Sequence, residues 1–131
     1  MQKLTTFLMF DGRAEEAMTF YSDLFNNSQI VDLSRYGPED QAMEGKIRQA
    51  TLSIHGHEFK FIDSPITHPF SFTPAISIFV QCQTEEEIER LFSSFSSEGQ
   101  ILMPLGAYPF SKKFGWVNDK FGISWQLSLP A

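Results

Sequence analysis

Hydrophobic spacing changes character twice along the chain, each time in the same order. In residues 6–25, TFLMFDGRAEEAMTFYSDLF, a short apolar run gives way to helical spacing, with Ala14, Ala17, Met18, Tyr21 and Phe25 on one face. This predicts strand, turn and helix. Asp11 stands where a side chain can cap the helix, and Glu15 and Glu16 favour its positive dipole end. In residues 75–95, AISIFVQCQTEEEIERLFSSF, the plan returns with Ile88, Leu91, Phe92 and Phe95 as the apolar stripe, and Thr84 with Glu87 forms a capping box. The two helices superpose under one displacement of the numbering (86 − 15 = 71, 95 − 24 = 71).

After each helix the period shortens towards two. Strands are predicted over 30–36, 47–54 and 58–63 in the first half, the last two joined by a tight turn at Gly56 and His57. In the second half they are predicted over 100–103, 113–118 and 123–129, where Ile123, Trp125, Leu127 and Leu129 alternate with Ser124, Gln126 and Ser128. The plan βαβββ therefore occurs twice, as modules 1–66 and 74–131 of a single α+β domain. Between them, Pro65, Pro69 and Pro74 oppose both helix and central strand and mark a linker.

Composition narrows the function classes. A net charge of −6 with ten scattered basic residues argues against nucleic acid and anionic membranes. No apolar run approaches the ~20 residues of a spanning helix. The opening residues lack the basic and apolar regions of a signal peptide, so a cytoplasmic location is expected. A lone cysteine, Cys82, cannot form an internal disulfide and has no base or cation beside it in sequence. Fourteen phenylalanines are many for 131 residues and imply a broad aromatic core or an aromatic-lined cavity.

The stretches LMFDGRAEEAMTFY and FSKKFGWVNDKFGISWQL, the second with its Gly115-Trp116, Asp119-x-Phe121-Gly122 and Trp125-Gln126 elements, resemble PhnB-like proteins of the glyoxalase/bleomycin resistance/dioxygenase superfamily. The resemblance implies two βαβββ modules forming a cupped mixed sheet, and a homodimer. Members of this group are often labelled 3-demethylubiquinone-9 3-methyltransferase-like. The sequence gives that activity no support, since Asp11-Gly12 is all that stands where a Gly-rich cofactor turn would be.

In the wider superfamily a divalent metal often sits on the concave face, held by His and Glu from the first and last strand of each module. Here those positions hold Thr5 or Thr6, Ala75 or Ser77, a residue between Phe61 and Asp63, and Gln126. This is a poor donor set, so no cofactor is expected. His55 and His57 flank a hairpin tip, and His68 lies in the linker. The carboxylate pairs at the helix starts and the serines at 93, 94, 96 and 97 form no catalytic arrangement.

Strand parity lines a pocket with Phe7, Met9, Phe61, Asp63, Ser77, Phe79, Phe114, Trp116 and Gln126, which suits an unidentified small molecule with a flat body and one polar end. The leading expectation is metal-free small-molecule binding. Two alternatives stay open: a metal-dependent lyase, isomerase or dioxygenase using ligands such as Asp63 with His68, and a structural or protein-interaction module with a filled interior.

Overall fold

A computed structural model describes residues 2–131. The chain separates into two compact units, one ending at His68 and the other running from Pro69 to Ala131. The division falls inside the proline-bearing segment between the repeats. Among the described residues, no helix is long and apolar enough to cross a membrane.

The first unit holds β1 (Thr6–Phe10), α1 (Ala14–Leu24), β2 (Ser28–Arg35), β3 (Ile47–Ile54) and β4 (His57–Asp63). Its sheet has the order β1-β4-β3-β2, with β1 parallel to β4 and the other pairs antiparallel. The second unit repeats this with β5 (Ser77–Gln81), α2 (Glu85–Ser96), β6 (Gln100–Tyr108), β7 (Ser111–Asn118) and β8 (Ser124–Leu129), in the order β5-β8-β7-β6. Each unit is thus a βαβββ module with a mixed sheet, the α+β plan that the doubled hydrophobic pattern predicts.

In each unit the apolar stripe of the helix closes one face of its sheet. Ala14, Ala17, Met18 and Tyr21 are buried, and so are Leu8, Phe10, Ala50, Leu52, Phe59 and Phe61. Phe61 stacks on Phe10 at 5.6 Å and meets Tyr21 at 6.1 Å, which places Phe61 on the helix side of β4. In the second unit Phe95 of α2 stacks on Trp125 at 4.3 Å, among buried Ile88, Leu91, Val117 and Leu127. A Cβ on Gly115 would lie 2.5 Å from Phe92 Cε1, so a side chain there would push the helix off the sheet.

Three local readings change. The hairpin between β3 and β4 turns on His55 (φ 50°) and Gly56 (φ 85°), the paired positive angles of a two-residue turn, and His57 opens β4. Strand β6 runs to Tyr108, well past the predicted end at 103. Pro104 is tolerated there because β6 is an edge strand whose pairing with β7 slips around Met103 and Gly106. Asp11 does not cap α1. The N-cap position is Arg13, with no side-chain cap, and the amide of Ala14 instead donates to Asp63, 49 positions away in sequence.

Candidate functional site

With the helix sides fixed, parity assigns every strand residue to a face. In the second unit Trp125 and Leu127 point to α2, so Ser124, Gln126 and Ser128 lie on the opposite, open face of β8. Register carries this outward, since Phe79 pairs with Gln126 on one side and Trp116 pairs with Gln126 on the other, with Met103 beyond Trp116. One row across the sheet therefore reads Phe79, Gln126, Trp116, Met103, an amide between two aromatic rings. The next row holds Ser77, Ser124 and Asn118.

Hydrogen bonds join these rows. Trp116 Nε1 donates to Ser124 Oγ at 2.7 Å, Ser124 Oγ lies 3.0 Å from Ser77 Oγ, and Gln126 Nε2 donates to Ser77 Oγ at 3.4 Å. Asn118 Oδ1 is buried with no hydrogen-bond partner among the described residues. Towards the other end of β7, Phe114 is covered by rings of the β6–β7 hairpin, with Phe110 at 5.0 Å and Tyr108 at 5.8 Å. Phe79 is 59% exposed and Phe110 65%.

The five residues expected here from the sequence, Ser77, Phe79, Phe114, Trp116 and Gln126, thus share one face. The sequence reading passed over Ser124 and Asn118, although the alternation of β8 already sets Ser124 beside Gln126.

The first unit divides its four expected residues. Phe7 (56% exposed) and half-buried Met9 lie on the open face of β1, next to Lys60 and Ile62 of β4. Phe61 and Asp63 lie on the helix side, so the expected single lining of Phe7, Met9, Phe61 and Asp63 is corrected. Asp63 is 1% exposed. Its Oδ1 accepts from the amides of Gly12 and Ala14, each at 2.9 Å, and its Oδ2 accepts from the amide of Ile47 at 3.0 Å. These bonds tie the turn after β1, the start of α1 and the start of β3 to the end of β4. His68 Nε2 lies 3.1 Å from Ser64 Oγ, and exposed His57 lies 3.0 Å from Thr6 Oγ1.

The donor set at the superfamily's metal positions can now be read residue by residue. Aligning the helix-facing pair Leu8 and Phe61 on the pair Ile78 and Trp125 displaces β1 and β5 by 70 (78 − 8 = 70) while the helices keep 71. On that register the open-face residue of β4 equivalent to Gln126 is Ile62, an aliphatic side chain. Asp63, the one carboxylate in this set, is turned away and bonded to three amides. These residues do not fit a divalent ion. Among the described residues, neither unit gathers three or more His, Cys, Asp or Glu side chains that could hold a metal. Cys82 is buried, and burial, reinforced by Glu87, pushes its thiol up to about 12, so it carries no thiolate at neutral pH.

Two βαβββ units, each with one helix on a mixed four-stranded sheet, define the glyoxalase/bleomycin resistance/dioxygenase fold. The fosfomycin resistance protein FosX from Listeria monocytogenes, solved with Mn(II) and sulfate, shares it with a TM-score of 0.64 over 99% of this chain and 90% of its own; at 12% identity the likeness is one of fold alone. The family is set by nearer matches: the chain belongs to the PhnB-like family described as 3-demethylubiquinone-9 3-methyltransferase, whose model matches residues 2–128. A PhnB protein from Bacillus cereus is 58% identical, with a TM-score of 0.94 over 98% of this chain and 99% of its own. Protein YjdN from Escherichia coli is 21% identical, over 96% of this chain and 94% of its own.

Proposed function

We propose that this protein binds a small molecule without a metal, on the open face of the second unit's sheet. The row Phe79, Gln126, Trp116 carries this reading. An exposed phenyl ring and a half-buried indole either side of an amide held by the Ser77 hydroxyl offer a flat ligand a stacking surface and a fixed polar contact. Ile62 at the position equivalent to Gln126, and the three amides on Asp63, support the metal-free form of the reading. The same amides weigh against methyl transfer of the doubly wound type, because the N–H groups at the start of α1 that would cradle a cofactor already bind a carboxylate.

N-phenyl-1-naphthylamine, a neutral flat amine that fluoresces in apolar surroundings, tests the reading. It is expected to bind with one-to-one stoichiometry and to quench Trp116, and Phe79→Ala is expected to weaken it about tenfold, the loss of one ring contact with its buried area. No saturable binding, or binding indifferent to Phe79→Ala, would refute it. In a calorimetric titration with Mn(II) no stoichiometric uptake is expected. Tight uptake abolished by Gln126→Leu would restore the metal-dependent enzyme.

We further propose a homodimer, on the likeness to the superfamily and on exposed apolar side chains along edge strand β2, where Ile30, Val31 and Leu33 face solvent. Light scattering at micromolar concentration should give about twice the chain mass, and a monomer mass would end this proposal.

A further inference from the structure

We infer that Ser124 is the positioning residue of this face: its buried hydroxyl, backed by that of Ser77, holds the Trp116 indole in the orientation on which a flat ligand stacks. The inference rests on the binding reading above and adds the residue that sets its geometry.

Ser124 is 2% exposed, and Trp116 Nε1 donates to its Oγ at 2.7 Å, the short end of the range for an N–H···O bond. An indole has one N–H and no acceptor, so this is the only hydrogen bond of that kind the half-buried ring can make. The hydroxyls behind it are ordered. Ser77 Oγ donates its one proton to the carbonyl of Pro74 at 3.5 Å and accepts from Gln126 Nε2 at 3.4 Å. Between the two serines, 3.0 Å apart, the donor is therefore Ser124. The reverse order would leave the Ser124 proton buried with no acceptor among the described residues, a cost that this order avoids. The chain of bonds runs from the indole through Ser124 and Ser77 to the Pro74 carbonyl, and its Ser77 link also receives the Gln126 amide.

The fold does not demand these hydroxyls. Aligned on the pairs Leu8 with Phe61 and Ile78 with Trp125, Phe7 and Lys60 of the first unit take the places of Ser77 and Ser124 (77 − 7 = 70, 124 − 60 = 64). Gln49 takes the place of Trp116, because Gln49 precedes Ala50 and Trp116 precedes Val117, the residues opposite Phe61 and Trp125. With a phenyl ring, an ammonium and an amide at those three places, the first sheet still has the matching strand order and the same parallel and antiparallel pairs. Sheet formation therefore does not account for the serines of the second unit, where they stand beneath the indole and the amide of the binding row. A ring set before the ligand arrives does not have to be ordered by it, which raises affinity without any new contact.

The test measures the indole and the binding separately, on the full chain. The Trp116 Nε1–H signal is followed by proton–nitrogen NMR, told from that of Trp125 with Trp116→Phe, and affinity for N-phenyl-1-naphthylamine is measured by fluorescence under conditions where far-ultraviolet circular dichroism shows every variant folded. In Ser124→Ala the Trp116 indole signal is expected to move upfield and exchange faster with solvent, and the probe to bind about three- to tenfold more weakly, the cost of ordering a loosened side chain on binding. Ser77→Ala should move the same signal, although Ser77 does not touch Trp116, because Ser124 then loses the acceptor of its proton. Should Ser124→Ala fail to fold, Ser77→Ala decides through the same two readouts. A lower urea midpoint with unchanged affinity would show a merely structural hydroxyl and overturn the inference while the binding face stands, as would an indole signal unmoved in both variants. Failure of the probe to bind the unmodified protein would remove the face, and this inference with it.

Discussion

Asp63→Ala is expected to cost about 3–5 kcal/mol of folding free energy, which for a chain of this size is a fall in thermal midpoint of roughly 10–20 °C. The carboxylate is 1% exposed and its two oxygens accept from Gly12, Ala14 and Ile47. Truncation leaves three amides at the junction of β1, α1 and β3 without their acceptor, and each buried donor so stranded costs about 1–3 kcal/mol before relaxation. Asp63→Asn keeps one oxygen but turns an NH₂ towards an amide N–H, so it should recover only part of the loss. Urea unfolding of the three proteins measures this, and a loss below about 1 kcal/mol for the alanine variant would show that the three bonds are not worth what their burial implies. The prediction also governs how mutants are read. Any ligand or metal uptake lost in Asp63→Ala must first be separated from lost folding, which is why Phe79 and Gln126 are the informative positions.

Asp119→Ala should be nearly as damaging to the second unit, at about 2–4 kcal/mol. Asp119 is 3% exposed. Its Oδ1 accepts from the amides of Phe121 and Ile123 at 2.9 and 3.0 Å, and its Oδ2 accepts from the indole of Trp125 at 2.9 Å. One carboxylate thus shapes the turn between β7 and β8 and fixes the ring on which Phe95 stacks. The variant should show altered tryptophan emission at temperatures where far-ultraviolet circular dichroism is still native, because the Trp125 indole has no acceptor there while the strands remain paired. Unchanged emission with unchanged stability would contradict the assigned role.

The fold was legible because it is written in local periods. The helices repeat at one displacement, and in β8 the alternation of Trp125, Leu127 and Leu129 with Ser124, Gln126 and Ser128 is clean enough to fix the face without coordinates. That is why Ser77, Phe79, Phe114, Trp116 and Gln126 are found together. In β1 the run Phe7, Leu8, Met9, Phe10 is apolar throughout, so alternation carries no information about which residues face the helix. The relation of one strand to the next depends on register, a non-local quantity. Pairing of Leu8 with Phe61 and Met9 with Ile62 sends Phe61 and Asp63 to the opposite side from Phe7 and Met9. Asp63 was misread for a further reason, since its partners lie up to 51 positions away and nothing in its own neighbourhood announces them.

The two helices begin in ways that differ in kind. Thr84 accepts from the amide of Glu87, and Glu87 returns a bond from the amide of Gln83, so the first turn of α2 is completed by residues within four positions. The first turn of α1 depends on a carboxylate 49 positions away on the last strand of its unit. The Ala14 amide meets that acceptor only once the long loop has closed, at an entropic cost that a local cap never meets. The first half of the doubled plan is thereby the less autonomous one: α2 carries its own starting signal, while α1 borrows one from the finished sheet.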